Sequence, residues 1–195
     1  MDEKLLTWAR AVKVRQGRVG RAACPVLWLF TDARRLAEPL AAIRRLPRGL
    51  GGVVLRDAAG RPDRAAQVAR LCRARRLGLS VGGDWRLAAS LGAGVHLRDG
   101  RRPAGMPRWL PALTSSAHDV AGLLRARRAG VALAFLSPAF TTASHPGATP
   151  LGLLRWARAA RAGGGAAALG GVDGTTVRRV PAAPCRGAGA ISALL

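Results

Sequence analysis

The segment VALAFLSPAFTTASHPGATPLGLLRWARAARA (131–162) holds an apolar run, a Pro-punctuated polar loop and an Arg/Ala/Leu stretch, in that order. Its first part, Val131–Pro138, is apolar except for Ser137. A strand buried on both faces reads as such a run, whereas a half-wet strand alternates. The last part, 150–162, returns apolar residues at three- and four-residue spacing, as one buried helix face requires. The segment therefore predicts a strand, a loop and a helix, the repeating unit of a parallel sheet.

The same order recurs along the chain. Apolar runs lie at 25–31 (PVLWLFT), 52–56 (GVVLR), 77–83 (LGLSVGG), 94–97 (GVHL), 112–117 (ALTSSA), 166–172 (AAALGGV) and 187–192 (GAGAIS). Helical spacing fills 33–45, 62–76, 84–91, 118–129, 150–162 and 173–180. Eight strands alternating with helices predict an α/β protein, a single compact (β/α)8 TIM barrel. The alternative is an open doubly wound sheet, but no GxGxxG follows the first run. Residues 1–24 are read as an N-terminal helical extension and 25–195 as the barrel domain. So little chain follows the eighth run that the last helix is expected to be truncated. Pro, Gly and charge at 98–111 predict a loop in place of a helix.

Composition narrows the class. The 195 residues suffice for one domain with a substantial core, and 49% of them are hydrophobic. No apolar run approaches the ~18–20 residues of a membrane span, and the opening MDEKLLTWARAVKVRQGRVG is too broken for a signal peptide. Cys24, Cys72 and Cys185 lack metal-ligand spacing, so a cytoplasmic protein with reduced thiols is expected. The 32 basic and 10 acidic residues give a net charge of +22, which invites a nucleic-acid reading. The arginines are instead spread over every helical stretch, and lysine occurs only at Lys4 and Lys13. The charge is read as solvated helix faces, with nucleic acid not expected as the partner and no Schiff-base lysine beyond residue 13.

In a parallel barrel, chemistry gathers where strands end at the C-terminal face. The rarer polar residues of this chain cluster there: Thr31, Asp32, Arg56, Asp57, Asp84, His96, Asp99, Ser116, His118, Ser137, Thr142, Ser144, His145 and Ser192. Each also has a plain structural role open to it. Asp32, Asp84 and Asp173 suit helix N-caps. His96 suits a hydrogen-bonded barrel residue, and His118 suits either a cap or a general acid/base. Gly170 and Gly171 suit either a tight turn or a phosphate cradle.

The runs LWLFTD, GVVLR, LAASLGAGVHL, SSAH, FLSPAFTTASHPG…PLG, ALGGV and GAGAIS resemble, in order and spacing, the thiamine-phosphate synthase/TenI superfamily over residues 25–194. The resemblance implies two activities. Synthases join a pyrimidine pyrophosphate to a thiazole phosphate with Mg²⁺. Some TenI relatives shift a proton on thiazole phosphate to give its aromatic tautomer, without a cofactor.

The resemblance is uneven. The synthase Gln-x-Arg-x-Lys falls on Val54, Arg56 and Ala58, so only the arginine persists. The Asn-Asp after the third strand falls on Gly82 and Gly83, with Asp84 next. The second magnesium carboxylate falls on Arg101, with Asp99 two residues earlier, and the pyrophosphate lysine falls on His145. The thiazole-phosphate side persists in Gly170, Gly171, Gly189, Ile191 and Ser192, with Ser116 and His118 after the fifth strand.

By this resemblance His118 is the acid/base of a thiazole tautomerase, with a phosphorylated thiazole as its partner. Arg56, Ser116, Thr142, Ser144 and His145 bind the substrate anion. A Mg²⁺-dependent synthase would use Asp84 and Asp99 as displaced metal ligands. A third possibility is a non-catalytic binding protein for a thiamine precursor, and a homo-oligomer is compatible with any of the three.

Overall fold

The computed structural model describes residues 2–18, 24–58, 60–142, 147 and 149–195. Eight parallel strands close into a barrel in sequence order: β1 (Leu27–Phe30), β2 (Gly51–Leu55), β3 (Gly78–Gly82), β4 (Gly94–Leu97), β5 (Ala112–Ala117), β6 (Leu133–Leu136), β7 (Ala166–Leu169) and β8 (Cys185–Ala190). The β1–β8 pairing, Trp28 opposite Gly189, shuts the ring. Outside it lie α1 (Glu3–Arg18), α2 (Pro39–Arg45), α3 (Pro62–Ala74), α4 (Trp85–Ser90), α5 (Val120–Arg128) and α6 (Leu153–Ala162). The barrel read from the sequence is present, strand for strand.

The small strands AAAL and GAGA fit because aromatic rings fill the barrel. Trp28, Phe30, Val54, Leu133, Phe135 and Ala167 form the inner core. A Cβ on Gly52 would come within 2.6 Å of the Trp28 ring, and one on Gly189 within 2.6 Å of Phe30. Glycine on the facing strands is what admits the rings. Burying each large side chain contributes roughly 1.5–3 kcal/mol. The Trp28 indole N–H, otherwise stranded, donates to the Pro25 carbonyl at 2.9 Å.

Three helical segments are shorter than their spacing implies. Pro39 at the first turn starts α2 late, because residues 32–36 form a turn held by Asp32. Gly152, at φ +70, delays α6 to Leu153. In place of a helix over 173–180 there is one 3₁₀ turn, Val177–Arg179, bounded by Gly174 and Pro181. The 98–111 segment is a loop, as expected, organised by Arg102 through the carbonyls of Pro107 (3.0 Å), Leu110 (3.2 Å) and Ala129 (3.3 Å).

Helix α1 lies along β8. Near its end, Arg15 donates to the Cys185 carbonyl and Gln16 to that of Arg186, where β8 begins. At its start, the Asp2 N–H donates to the Ala193 carbonyl (3.3 Å) beyond β8, and the Asp2 carboxylate accepts from the Gly174 N–H (2.7 Å). The chain's first helix thus covers the last strand and touches the loops at the C-terminal face. No helix among the described residues is long and apolar enough to cross a membrane.

Candidate active site

The C-terminal ends of the strands surround a cavity of about 1800 Å³. Its lining includes Arg56, Asp99, Ser116, His118, Thr142, Gly170, Gly171, Gly189, Ile191 and Ser192. Most residues singled out by position therefore share one cavity. Asp84 is not among its lining residues, and Ser144 and His145 lie outside the described residues.

Phe30 and His96 line the cavity, and Phe135 packs beneath them in the barrel core. Phe30 and Phe135 meet edge to face at 4.8 Å between centroids, and His96 stands edge to face on Phe30 at 5.7 Å. His96 Nδ1 is 2.8 Å from Thr114 Oγ1, whose hydroxyl donates to Ser80 Oγ at 2.7 Å. With that hydroxyl proton committed to Ser80, Nδ1 carries the imidazole hydrogen and Nε2 is the acceptor. Burial, aided by the Arg56 charge, pushes the His96 pKa down to about 4. His96 is a neutral ring at neutral pH.

His118 is placed differently. The N-cap of α5 is its neighbour Asp119, which accepts from the Gly122 N–H at 2.7 Å, so the capping role read as one option for His118 is already filled. The exposed imidazole has Nδ1 2.9 Å from the Ser137 carbonyl and 3.4 Å from Ser137 Oγ. A carbonyl can only accept, so Nδ1 carries the hydrogen. The basic lone pair is then on Nε2, at the cavity wall.

The two glycines after β7 do close packing work. Gly170 and Gly171 have φ of +91 and +65, in the region that favours glycine. A Cβ on Gly171 would overlap the Thr141 carbonyl and come within 2.8 Å of Phe140 Cβ. The Ala139 N–H donates to the Leu169 carbonyl (2.8 Å) and the Phe140 N–H to that of Gly170 (3.0 Å). The Thr176 hydroxyl donates to the Gly171 carbonyl at 2.9 Å. The turn therefore fixes the start of the loop after β6, and a side chain at Gly171 would displace that loop before it reached any ligand.

The carboxylates read as displaced metal ligands are spent elsewhere. Asp84 caps α4, its Oδ1 accepting from the Leu87 N–H at 3.0 Å. Asp99, at φ +52, pairs with Arg125 through Oδ2, and its backbone carbonyl accepts from Arg125 Nε at 3.1 Å. Arg101 Nε is 3.9 Å from the same oxygen. A Mg²⁺ ion asks for several oxygens in octahedral array. Among the described residues no three His, Cys, Asp or Glu side chains converge, and of the two aspartates only Asp99 lines the cavity. These engagements weigh against the expectation of Asp84 and Asp99 as displaced magnesium ligands.

The remaining candidates are located as follows. Arg56 donates from Nε to the Thr31 carbonyl (2.8 Å), pairs with Asp32 (3.2 Å) and lies over Phe30 at 5.6 Å. Ser116 Oγ accepts from the Asp99 N–H at 3.3 Å. Asp173 accepts from the N–H groups of Thr175 and Thr176, both at 2.8 Å, as the cap it resembles. Burial pushes the thiols of Cys24 and Cys185 up to about 11 and that of Cys72 to about 12, so none supplies a thiolate at neutral pH. Sequence reading missed Arg35, whose Nη2 donates to Ser192 Oγ at 2.8 Å, and Asp2, which also lines the cavity. Nothing in the local pattern separates Arg35 from the many other arginines.

Comparison with known proteins agrees with this fold. A structure titled thiamine phosphate pyrophosphorylase from Pyrococcus furiosus superposes with a TM-score of 0.68 at 20% identity, covering 88% of this chain and 87% of that one. A second of the same title, from Bacteroides thetaiotaomicron, gives a TM-score of 0.56 at 15% identity, covering 87% and 83%. These identities speak for the fold. A comparison with curated proteins returns no match. The family model described as thiamine monophosphate synthase matches residues 29–194, and the chain belongs to that thiamine-phosphate synthase/TenI family.

Proposed function

We propose that the chain binds a thiazole phosphate in this cavity and moves a proton on its ring, with His118 as acid and base. The observation that carries this reading is the Ser137 carbonyl on His118 Nδ1, which leaves Nε2 as the proton-accepting nitrogen. In the step, Nε2 takes a proton from a ring carbon and the imidazolium returns one to the substrate, giving the aromatic tautomer. Atoms and charge balance without a cofactor. The Phe30 and His96 rings in the cavity lining suit a flat ring, and the glycine and serine turns after β7 and β8 suit its phosphate.

A second reading, a Mg²⁺-dependent transferase making thiamine phosphate, is favoured by one observation. The cavity, at about 1800 Å³, exceeds the usual ~300–1,000 Å³ of a small-ligand pocket and leaves room for a second ring. The commitments of Asp84 and Asp99 weigh against it.

The test of the leading reading is optical. The protein is mixed with the non-aromatic tautomer of thiazole phosphate and aromatic absorbance is followed. Acceleration that is absent with His118→Ala is expected. Equal rates for both proteins would remove the proposal.

A further inference from the structure

Closure of the barrel through β1 and β8 makes the loop after β1 a neighbour of the turn after β8. That loop is a tight turn. The Asp32 carbonyl accepts from the N–H groups of Arg35 (3.1 Å) and Leu36 (2.7 Å), and the Asp32 carboxylate accepts from that of Arg34 (3.0 Å). Leu36 is buried and anchors the turn, while Arg35 crosses the seam and gives Nη2 to Ser192 Oγ at 2.8 Å. Arg35, Ser192, Ile191 and Gly171 line the same cavity.

The contact has a chemical consequence. A guanidinium has no acceptor, so Ser192 Oγ must be the acceptor in this pair, and the serine hydroxyl keeps its own hydrogen to donate. A cation and an oriented hydroxyl donor then stand together at one corner. The Asp2 carboxylate at this end of the cavity is taken up by the N–H groups of Lys4, Leu5 and Gly174.

We propose that Arg35 is a phosphate clamp: with Ser192 it receives a phosphate-monoester dianion and makes the cavity prefer phosphorylated ligands to the corresponding alcohols. The planar fork of arginine matches phosphate oxygens, and charge-assisted hydrogen bonds of this kind are short and strong. The inference rests on reading this cavity as a site for a phosphorylated small molecule. It adds a residue from the β1 loop and a mechanism for the preference.

Calorimetry at fixed ionic strength tests it with three probes: thiazole phosphate, the dephosphorylated thiazole alcohol and ethyl phosphate, which lacks the ring. Arg35→Gln is expected to weaken both phosphate esters at least tenfold and the alcohol less than twofold. Arg128→Gln, on the exposed end of α5, removes the same charge and is expected to leave all three within twofold. Ser192→Ala should cost less, and little more when added to Arg35→Gln, because the two act as one unit. If wild type binds ethyl phosphate as tightly as thiazole phosphate and Arg35→Gln weakens both, the clamp stands and the thiazole reading falls. The clamp itself is overturned if Arg35→Gln leaves the esters within twofold, if it weakens the alcohol equally, or if wild type binds neither ester.

Discussion

The two halves of the barrel mouth use their polar residues in opposite ways. At the ends of β2 to β4, carboxylates serve the protein: Asp84 caps α4 and Asp99 neutralises Arg125. At the ends of β5 to β8, protein groups orient other groups toward the cavity. The Ser137 carbonyl sets the His118 tautomer, and Arg35 sets the Ser192 hydroxyl. A carboxylate already satisfied by an N–H or a guanidinium offers a metal little, whereas an imidazole or hydroxyl fixed on one side is ready to act on the other. This difference is the reason for proposing proton transfer on a phosphorylated ring over metal-assisted departure of a pyrophosphate.

The largest effect expected from breaking the working half is at His118. His118→Ala should lower the tautomerisation rate by about 10²–10⁴-fold, the usual contribution of a positioned acid/base, with little change in melting temperature because the side chain is exposed. Next comes the glycine turn. Gly171→Ala places a Cβ against the Thr141 carbonyl at a φ of +65, and should cost about 2–4 kcal/mol in denaturant unfolding.

The idle half should respond in stability alone. Asp84→Ala removes an N-cap and should cost about 1 kcal/mol while turnover is unchanged. A fall in turnover at full stability would return Asp84 to the site. A separate effect lies in pH. The His96 pKa is lowered from 6.5 to about 4 in the folded chain, so between those values the unfolded chain binds more protons. Stability should therefore be highest above pH 6.5 and decline gradually on acidification toward pH 4. His96→Gln should flatten that part of the profile, and an unchanged slope would mean that His96 is as easily protonated in the fold as out of it.

Much of this molecule is legible in its sequence because a barrel strand carries its signal locally. The run VALAFLSP and the strand GVHL need no tertiary information to be read as buried. Even AAAL and GAGA, poor in bulk, make sense once Trp28, Phe30 and Phe135 are counted as barrel filling. That many of the polar strand-end residues would share one cavity was legible too, since strand ends converge in a parallel barrel. Their tasks were not. Whether Asp84 caps a helix or faces a ligand depends on one N–H at Leu87, and an aspartate before a helix reads the same either way. Arg35 was invisible for a different reason: its partner Ser192 is 157 residues away, and only the β1–β8 closure brings them together. The helix read at 173–180 shrank to one turn because Gly174 and Pro181 leave too little chain between them.

The central claim, that the β5–β8 half carries the chemistry without a metal, is tested most directly by one paired assay. The non-aromatic thiazole phosphate is incubated with the protein in excess chelator and again with Mg²⁺, in the presence and absence of a pyrimidine pyrophosphate. Aromatic thiazole phosphate and thiamine phosphate are quantified in each. The account predicts aromatic product at the same rate with chelator and with Mg²⁺, and no thiamine phosphate. Thiamine phosphate formed only with Mg²⁺, with no aromatic product in chelator, would contradict it.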